Sequence, residues 1–296
     1  MIQKKQNKWF SVLKILIGFW ILSFIAAAFF SFDSSVDSGN VAIIPIHGII
    51  TTNPGSSLGS SGVSSDGILN LLDQANQNPS IKAILLDINS PGGSGVAADE
   101  IGQKIQSIDK PVIAVIRDLG ASAAYWIATT SDLIYANKLS FTGSIGVIGS
   151  YLDFSGLMEN YNVTYQRYVS GELKDMGSPF KKPTNLERDV FQDIIDQAKD
   201  VFIKEVASNR NMSIKKVEKL ATGQIFIGKQ AYELGLVDVI GTKEDALNFI
   251  ETRINSSVDI VEYKNKKSLT ELLSELNVDT KIGKFINPVD SLISFK

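Results

Sequence analysis

The chain has no cysteine and a single histidine in 296 residues, and these two scarcities exclude a great deal. Without thiols there are no disulfides, no thiolate metal sites and no cysteine-protease chemistry. Any Ser/His/Asp triad would have to use His47, whose neighbours Ile46 and Ile49 suggest a structural place in an apolar strand. An excess of one charge is also lacking. The net charge is −3, charge runs are short and mixed, and no basic stripe carries interleaved aromatics, so nucleic acid is not expected as a partner. No motif implies a cofactor or a metal.

What is present begins with lysines and an apolar run. Lys4, Lys5, Lys8 and Lys14 precede Ile15 to Phe32, a stretch broken only by Gly18, Ser23 and Ser31. At about 1.5 Å per residue a helix over it reaches roughly 27 Å, close to the hydrocarbon thickness of a bilayer. Trp9 and Trp20 suit the interfaces, and Asp33 and Asp37 follow the run. This pattern predicts a single-pass anchor in the cell membrane, with a cytoplasmic N-terminus and the remainder extracytoplasmic. A signal peptide cleaved near Ala26-Ala27-Ala28 is the alternative. The expected organisation is therefore a tip and anchor over 1–32, a Ser/Asp/Gly linker over 33–40, a catalytic domain over 41–250 and a C-terminal extension over 251–296.

Beyond the linker, apolar strands alternate with helical stretches. Strands are expected at Val41–Ile50, Ile81–Ile88, Pro111–Ile116, Leu133–Tyr135 and Val163–Val169, with a further one at Ser144–Gly149. Helices are expected over Ile68–Ala75, Gly95–Ile108, Ala121–Thr129 and Asn185–Asn209, the last with Asn185 as its N-cap. Thr51–Gly67 reads as a Gly/Ser-rich mobile loop, and Ser268-x-x-Glu271 as a capping box opening a short helix, Leu269–Leu276. The alternation implies βαβ crossovers and a largely parallel sheet, with sites beyond the carboxyl ends of its strands.

Two turns lie where that rule points. Asn89-Ser90-Pro91-Gly92-Gly93 follows one apolar strand, and its glycines let the backbone bend and present N–H groups, the material of an oxyanion hole or simply of a strand-to-helix turn. Asp118-Leu119-Gly120-Ala121-Ser122-Ala123-Ala124 follows the next strand. Its small residues leave the Ser122 hydroxyl open near a helix start, though such a serine is more often only a cap. A lysine made neutral by burial is the remaining common activator of a serine. Spacing does not choose among the lysines; Lys174 is a candidate in the polar loop Ser170–Asp175.

Taken in order, these residues resemble signal peptide peptidase A (protease IV) in its short single-domain form. The resemblance rests on Asn89–Gly93, Ala121–Tyr125, Thr142-Gly143-Ser144-x-Gly146-Val147, Gly171-x-x-Lys174 and Gly223–Asp238. It implies a Clp/crotonase-type fold behind the transmembrane helix and a Ser/Lys dyad of Ser122 and Lys174. Ser144 would orient the lysine, and the amides of Gly93 and Ala123 would form the oxyanion hole. It implies a homo-oligomer, an octamer, with active sites shared between adjacent protomers. The substrates it implies are remnant signal peptides and other small or unfolded hydrophobic segments. Where the family has Gly-Gly after the nucleophile this chain has Ala123-Ala124, which suggests a narrower substrate pocket or altered specificity. A stomatin-cleaving membrane protease, an acyl-CoA enzyme on the same fold and a non-catalytic membrane scaffold stay open as alternatives.

Overall fold

The structure is a computed structural model that describes residues 39–53 and 62–264, with helical positions at Trp9, Lys14, 16–21 and Ser23. The chain divides into two compact units, Met1–Gly39 and Asn40–Lys296. Among the described residues no helix is long and apolar enough to cross a membrane. The expected transmembrane anchor is corrected accordingly, and with it the single-pass, extracytoplasmic placement; most of the apolar run 15–32 lies outside the described residues. The capping-box helix expected at Leu269–Leu276 also lies outside them.

The second unit is built on a nine-stranded sheet whose central order is β2-β1-β3-β4-β5-β8. Its strands are β1 (Val41–Thr51), β2 (Gly62–Ser64), β3 (Ala83–Gly93), β4 (Val112–Ala121), β5 (Leu133–Ala136), β6 (Phe141–Gly143), β7 (Ile225–Ile227), β8 (Val239–Ile240) and β9 (Ile260–Glu262). All pairings are parallel except β6 with β7. The helices are α1 (Ser65–Gln77), α2 (Gly95–Gln106), α3 (Ala123–Thr129), α4 (Ser155–Asn160), α5 (Asn185–Asn209), α6 (Ile214–Leu220), α7 (Gly228–Leu234) and α8 (Lys243–Ile254).

The central strands are apolar along their length because both faces are covered. On one face Ile44, Ile46, Ile84, Leu86 and Ile88 pack with α1, α2, α3 and α5. On the other, Val41, Ile43, Leu85, Ile113 and Val115 pack on Ala246 and Ile250 of α8. Each such aliphatic side chain contributes roughly 1.5–3 kcal/mol when fully buried. Trp126 of α3 stacks on Phe202 of α5 with ring centroids 5.0 Å apart, which ties the short helix α3 to the long one.

One edge of β4 is used twice. Ile113–Ile116 pairs with β5, and after an irregularity Leu119–Ala121 pairs with β6. The carboxyl ends of the strands thus fan apart, and the site region sits in that fan. Strands β3 and β4 run through Gly93 and Ala121, so the segments read as turns after Ile88 and Ile116 are still extended and paired.

Other expectations change as well. Val163–Val169 is not a strand: its alternating residues are exposed on both sides, so there is no face to bury. Ser144–Gly149 is irregular, and the strand lies just before it at β6. Part of the expected loop Thr51–Gly67 is ordered as β2 and the start of α1. Helix α5 is capped by Thr184 rather than Asn185, in a reciprocal box with Glu187. The finer assignment to a Clp/crotonase-type fold is replaced by what the backbone displays, an α/β fold with a mostly parallel sheet. Alternating strands and helices predict parallel crossovers, but they leave strand order and edge pairing open.

Candidate active site

Ser122 is the residue at which β4 ends and α3 begins, and its backbone is unusual. It has φ 54° and ψ −126°, a conformation that costs an L-residue about 1–3 kcal/mol and persists only where the surroundings enforce it. Here they do. The Ser122 N–H donates to the Gly143 carbonyl at 2.8 Å, the Ser122 carbonyl accepts from Trp126 N–H at 3.0 Å, and every residue of α3 is buried. Its hydroxyl has no hydrogen-bond partner among the described residues. As the first residue of α3, Ala123 likewise has an N–H with no partner among the described residues, one of the orphan donors of a helix start.

Ser144 is its counterpart one strand across. Ala121 of β4 is registered against Gly143 of β6, so the two serines leave adjacent parallel strands side by side. Ser144 also has positive φ, 51°, and its N–H donates to the Gln224 carbonyl at 2.8 Å, while its hydroxyl is unpartnered among the described residues. Elsewhere the sheltered hydroxyls of Ser65, Ser90, Ser131 and Ser140 are all hydrogen-bonded. Both serines are half-buried, with hydroxyls open to a ligand, whereas the unpartnered hydroxyl of Ser155 is buried.

The Ser-Pro-Gly-Gly end of β3 closes against this pair. A Cβ on Gly92 (φ +104°) would lie 2.8 Å from Ser122 Cβ and 2.9 Å from Ala123 N, so only glycine lets the strands approach this closely. The Gly92 N–H is held by the buried Ser90 hydroxyl at 3.0 Å, which fixes the turn. Gly93 lies against the carbonyl of Ile50 on β1. Sequence reasoning used the glycine pair for its amides and missed Gly92 as a contact residue. The doublet was the signal, but the close approach belongs to tertiary structure. Ala123 has no positive φ and is buried with Ala124, so their methyl groups fill the core; the expected narrowing of a substrate pocket is corrected.

Among the described residues Lys174 makes no hydrogen bond with this cluster. It lies exposed in the turn 171–176, its N–H donating to the Gly171 carbonyl at 3.0 Å, and its ammonium has no partner among the described residues. His47 sits elsewhere, 3.6 Å from Asp87. Burial pushes the Asp87 carboxyl up, but a hydrogen bond from Lys243 at 2.7 Å and the charges of Lys243, Arg117 and His47 outweigh it and hold the carboxyl below its ordinary range. His47 thus serves a charge cluster beneath α8, as its strand position suggested.

The sequence pattern of peptidase family S49 matches residues 104–257, a span that contains Ser122, Ser144 and Lys174. The chain belongs to peptidase family S49. It is a serine protease, and its ligands are peptides. The signal peptide peptidase SppA of Enterococcus faecium is 37% identical over 238 residues, covering 79% of this chain and 69% of that protein. A protease of Methanocaldococcus jannaschii is 39% identical over 198 residues, covering 66% and 64% respectively. Protease 4 of Haemophilus influenzae is 34% identical over 254 residues, which is 82% of this chain but 40% of that longer protein. Among solved structures, the 1510-N membrane-bound stomatin-specific protease aligns with a TM-score of 0.49 at 18% identity, covering 77% of this chain and 99% of that one.

Membership in a peptidase family replaces the crotonase-type label for the fold and closes the acyl-CoA and scaffold alternatives. The functional expectation is corrected in scope as well. What holds is a family S49 serine endopeptidase domain; the membrane-spanning helix and the extracytoplasmic orientation are withdrawn, since among the described residues no helix is long and apolar enough to cross a membrane.

Proposed function

We propose that this family S49 domain hydrolyses peptide bonds with Ser122 as nucleophile, Lys174 as general base and Ser144 as the hydroxyl that orients the lysine. The amides of Gly93 and Ala123 are the oxyanion donors. The observation that carries this reading is the registered pair of strained, unpartnered serines beside the free amide at the start of α3. The neutral lysine amine takes the Ser122 proton as Oγ attacks the scissile carbonyl. The oxyanion forms against the two amides, and collapse expels the peptide amine with the proton returned by the lysine. A water then attacks the acyl-enzyme by the same route, giving the second product as a free acid.

The functional unit is a ring-shaped homo-oligomer, an octamer, in which Lys174 of one protomer serves Ser122 of its neighbour. Two features support it. Among the described residues Lys174 has no side-chain partner, and the segment 147–173 carrying the chain towards it exposes large apolar residues, among them Ile148 at 86% and Tyr168 at 92%. Contiguous apolar exposure of this kind marks an interaction surface. The catalytic domain starts at 41, after the linker 33–40 and the N-terminal segment 1–32. The stretch 251–296 follows the domain read as 41–250, although its first part supplies β9, which pairs with β1.

The test is peptide hydrolysis together with covalent labelling by a serine-directed probe. Ser122→Ala and Lys174→Ala should each lower turnover by roughly 10³-fold or more, with Ser122→Ala also losing the label. Mixing the two inactive variants should restore part of the activity, because some interfaces then pair an intact serine with an intact lysine. Full turnover by Lys174→Ala would reject the base assignment, and the absence of rescue would reject the shared site.

A further inference from the structure

Among the described residues the Lys174 ammonium has no partner, yet the residue after it is the most heavily bonded group on the segment. Asp175 accepts two hydrogen bonds from Arg167, from Nε at 2.6 Å and from Nη2 at 2.8 Å, and the same Nη2 donates to the Glu172 carbonyl at 2.9 Å. One guanidinium therefore grips the turn on both sides of Lys174. The two-pronged geometry fixes orientation as well as distance, which a single ammonium contact does not.

The grip is anchored in turn. Lys181 Nζ lies 3.4 Å from Asp175 Oδ1, the oxygen that also accepts from Arg167 Nη2, and it bonds Glu187, a carboxylate only 1% exposed. Glu187 is the third residue of α5 and closes that helix's capping box, accepting from the Thr184 N–H at 2.8 Å. A continuous chain of charged contacts thus runs from the start of α5 through Lys181, Asp175 and Arg167 to the backbone of the lysine turn. Arg167, ahead of any other contact, holds the Asp175 carboxyl down at about 2. Around it lie Lys181, Glu172, Glu187 and Tyr165, the last tilted against Phe180 with centroids 5.8 Å apart.

We propose that Arg167 and Asp175 are positioning residues that preset the Lys174 turn within one protomer. This rests on the assignment of Lys174 as general base. Assembly then has only to carry a finished turn to the serine, and the lysine chain itself stays free because every contact is made by its neighbours. Rigid second contacts of this kind are what keep a catalytic group within reach of its productive geometry, and small misplacements cost large factors in rate.

The test uses the full chain in its assembled form. Asp175→Asn and Arg167→Lys should each lower kcat about tenfold or more, with KM changed less than threefold. They should also move the midpoint of the rising limb of the rate–pH profile by at least half a pH unit, whereas a loss of folded protein lowers the plateau and leaves the midpoint in place. The charge-reversed pair Arg167→Asp with Asp175→Arg should recover part of kcat over either single reversal. Variants within twofold of wild type would overturn the proposal. So would a fall in activity with an unmoved midpoint, or with loss of the oligomer. If Lys174→Ala itself keeps full turnover, the base assignment has failed; if that variant is dead while Asp175→Asn is normal, only the positioning role has failed.

Discussion

The strand-end region around Ser122 and the segment from 147 to 182 are opposites in how they use polar and apolar groups. In the first, Ala121, Ala123, Ala124 and Ile145 are buried, the Ser122 and Ser144 backbones are tied across strands, and two serine hydroxyls are without partners among the described residues. In the second, apolar side chains face outward, regular structure is limited to the short α4, and order comes from ion pairs such as Arg167–Asp175 and Lys181–Glu187. The difference teaches where each half of the proposed chemistry gets its precision. The nucleophile is held by packing and register, which need the whole core. The lysine turn is held by charge contacts within a few residues, and its apolar surroundings wait for another surface.

Disturbing the packed side should have the larger effect. Gly92→Ala places a methyl group within 2.9 Å of Ala121 O, Ser122 Cβ and Ala123 N on a backbone that favours glycine. The conformational cost alone is about 1–2 kcal/mol, and relieving the clash adds to it. We expect activity to fall at least about a hundredfold and thermal denaturation to come some 5–10 °C lower, read by calorimetry and peptide turnover. Breaking the exposed side should leave the fold alone. Ile148→Ser with Tyr168→Ser should shift the melting temperature of the dissociated chain by less than about 2 °C, since exposed sites cost little. It should dissociate the oligomer in sedimentation and take turnover down with it. An intact oligomer would show that this apolar segment is not the interface.

The smallest effect concerns acid. The Asp175 carboxyl is depressed to about 2 by Arg167, so its contribution is present above its ordinary value near 3.8 and is lost only as pH falls from there towards 2. Between pH 5 and 9 proteolytic nicking of 165–182 should therefore be flat, rising only below about pH 4. A rise near neutrality would mean the clamp is governed by another group.

The same contrast explains what the sequence revealed. Strands such as Ile81–Ile88 and Pro111–Ile116 were legible because both faces are buried and the apolar run is unbroken. Their continuations were not. Pro91, Gly92, Gly93 and Gly120 signal turns locally, and only the neighbouring strands show that the chain is still paired there. Val163–Val169 misled for the converse reason, since an alternating pattern has meaning only when one side is covered. Ser122 was legible from its small neighbours and its place after a strand. Gly92 as its contact required the fold, and Lys174, one candidate in a polar loop, rested almost wholly on resemblance, as expected of a residue exposed in this chain.

The three bonds Ser122 N–H to Gly143 O, Ser144 N–H to Gln224 O and Gly223 N–H to Ile145 O connect the end of β4, the end of β6 and the approach to β7 in series. Such a ladder links three chain segments with Ser122 at its end. A displacement of the 223–225 backbone, more than eighty positions further along the chain than β6 begins, must be absorbed by Ser144 before it reaches Ser122. The backbone of Ser122 is thereby coupled to that of 223–225 through Ser144, with no hydrogen bond directly between the two among the described residues.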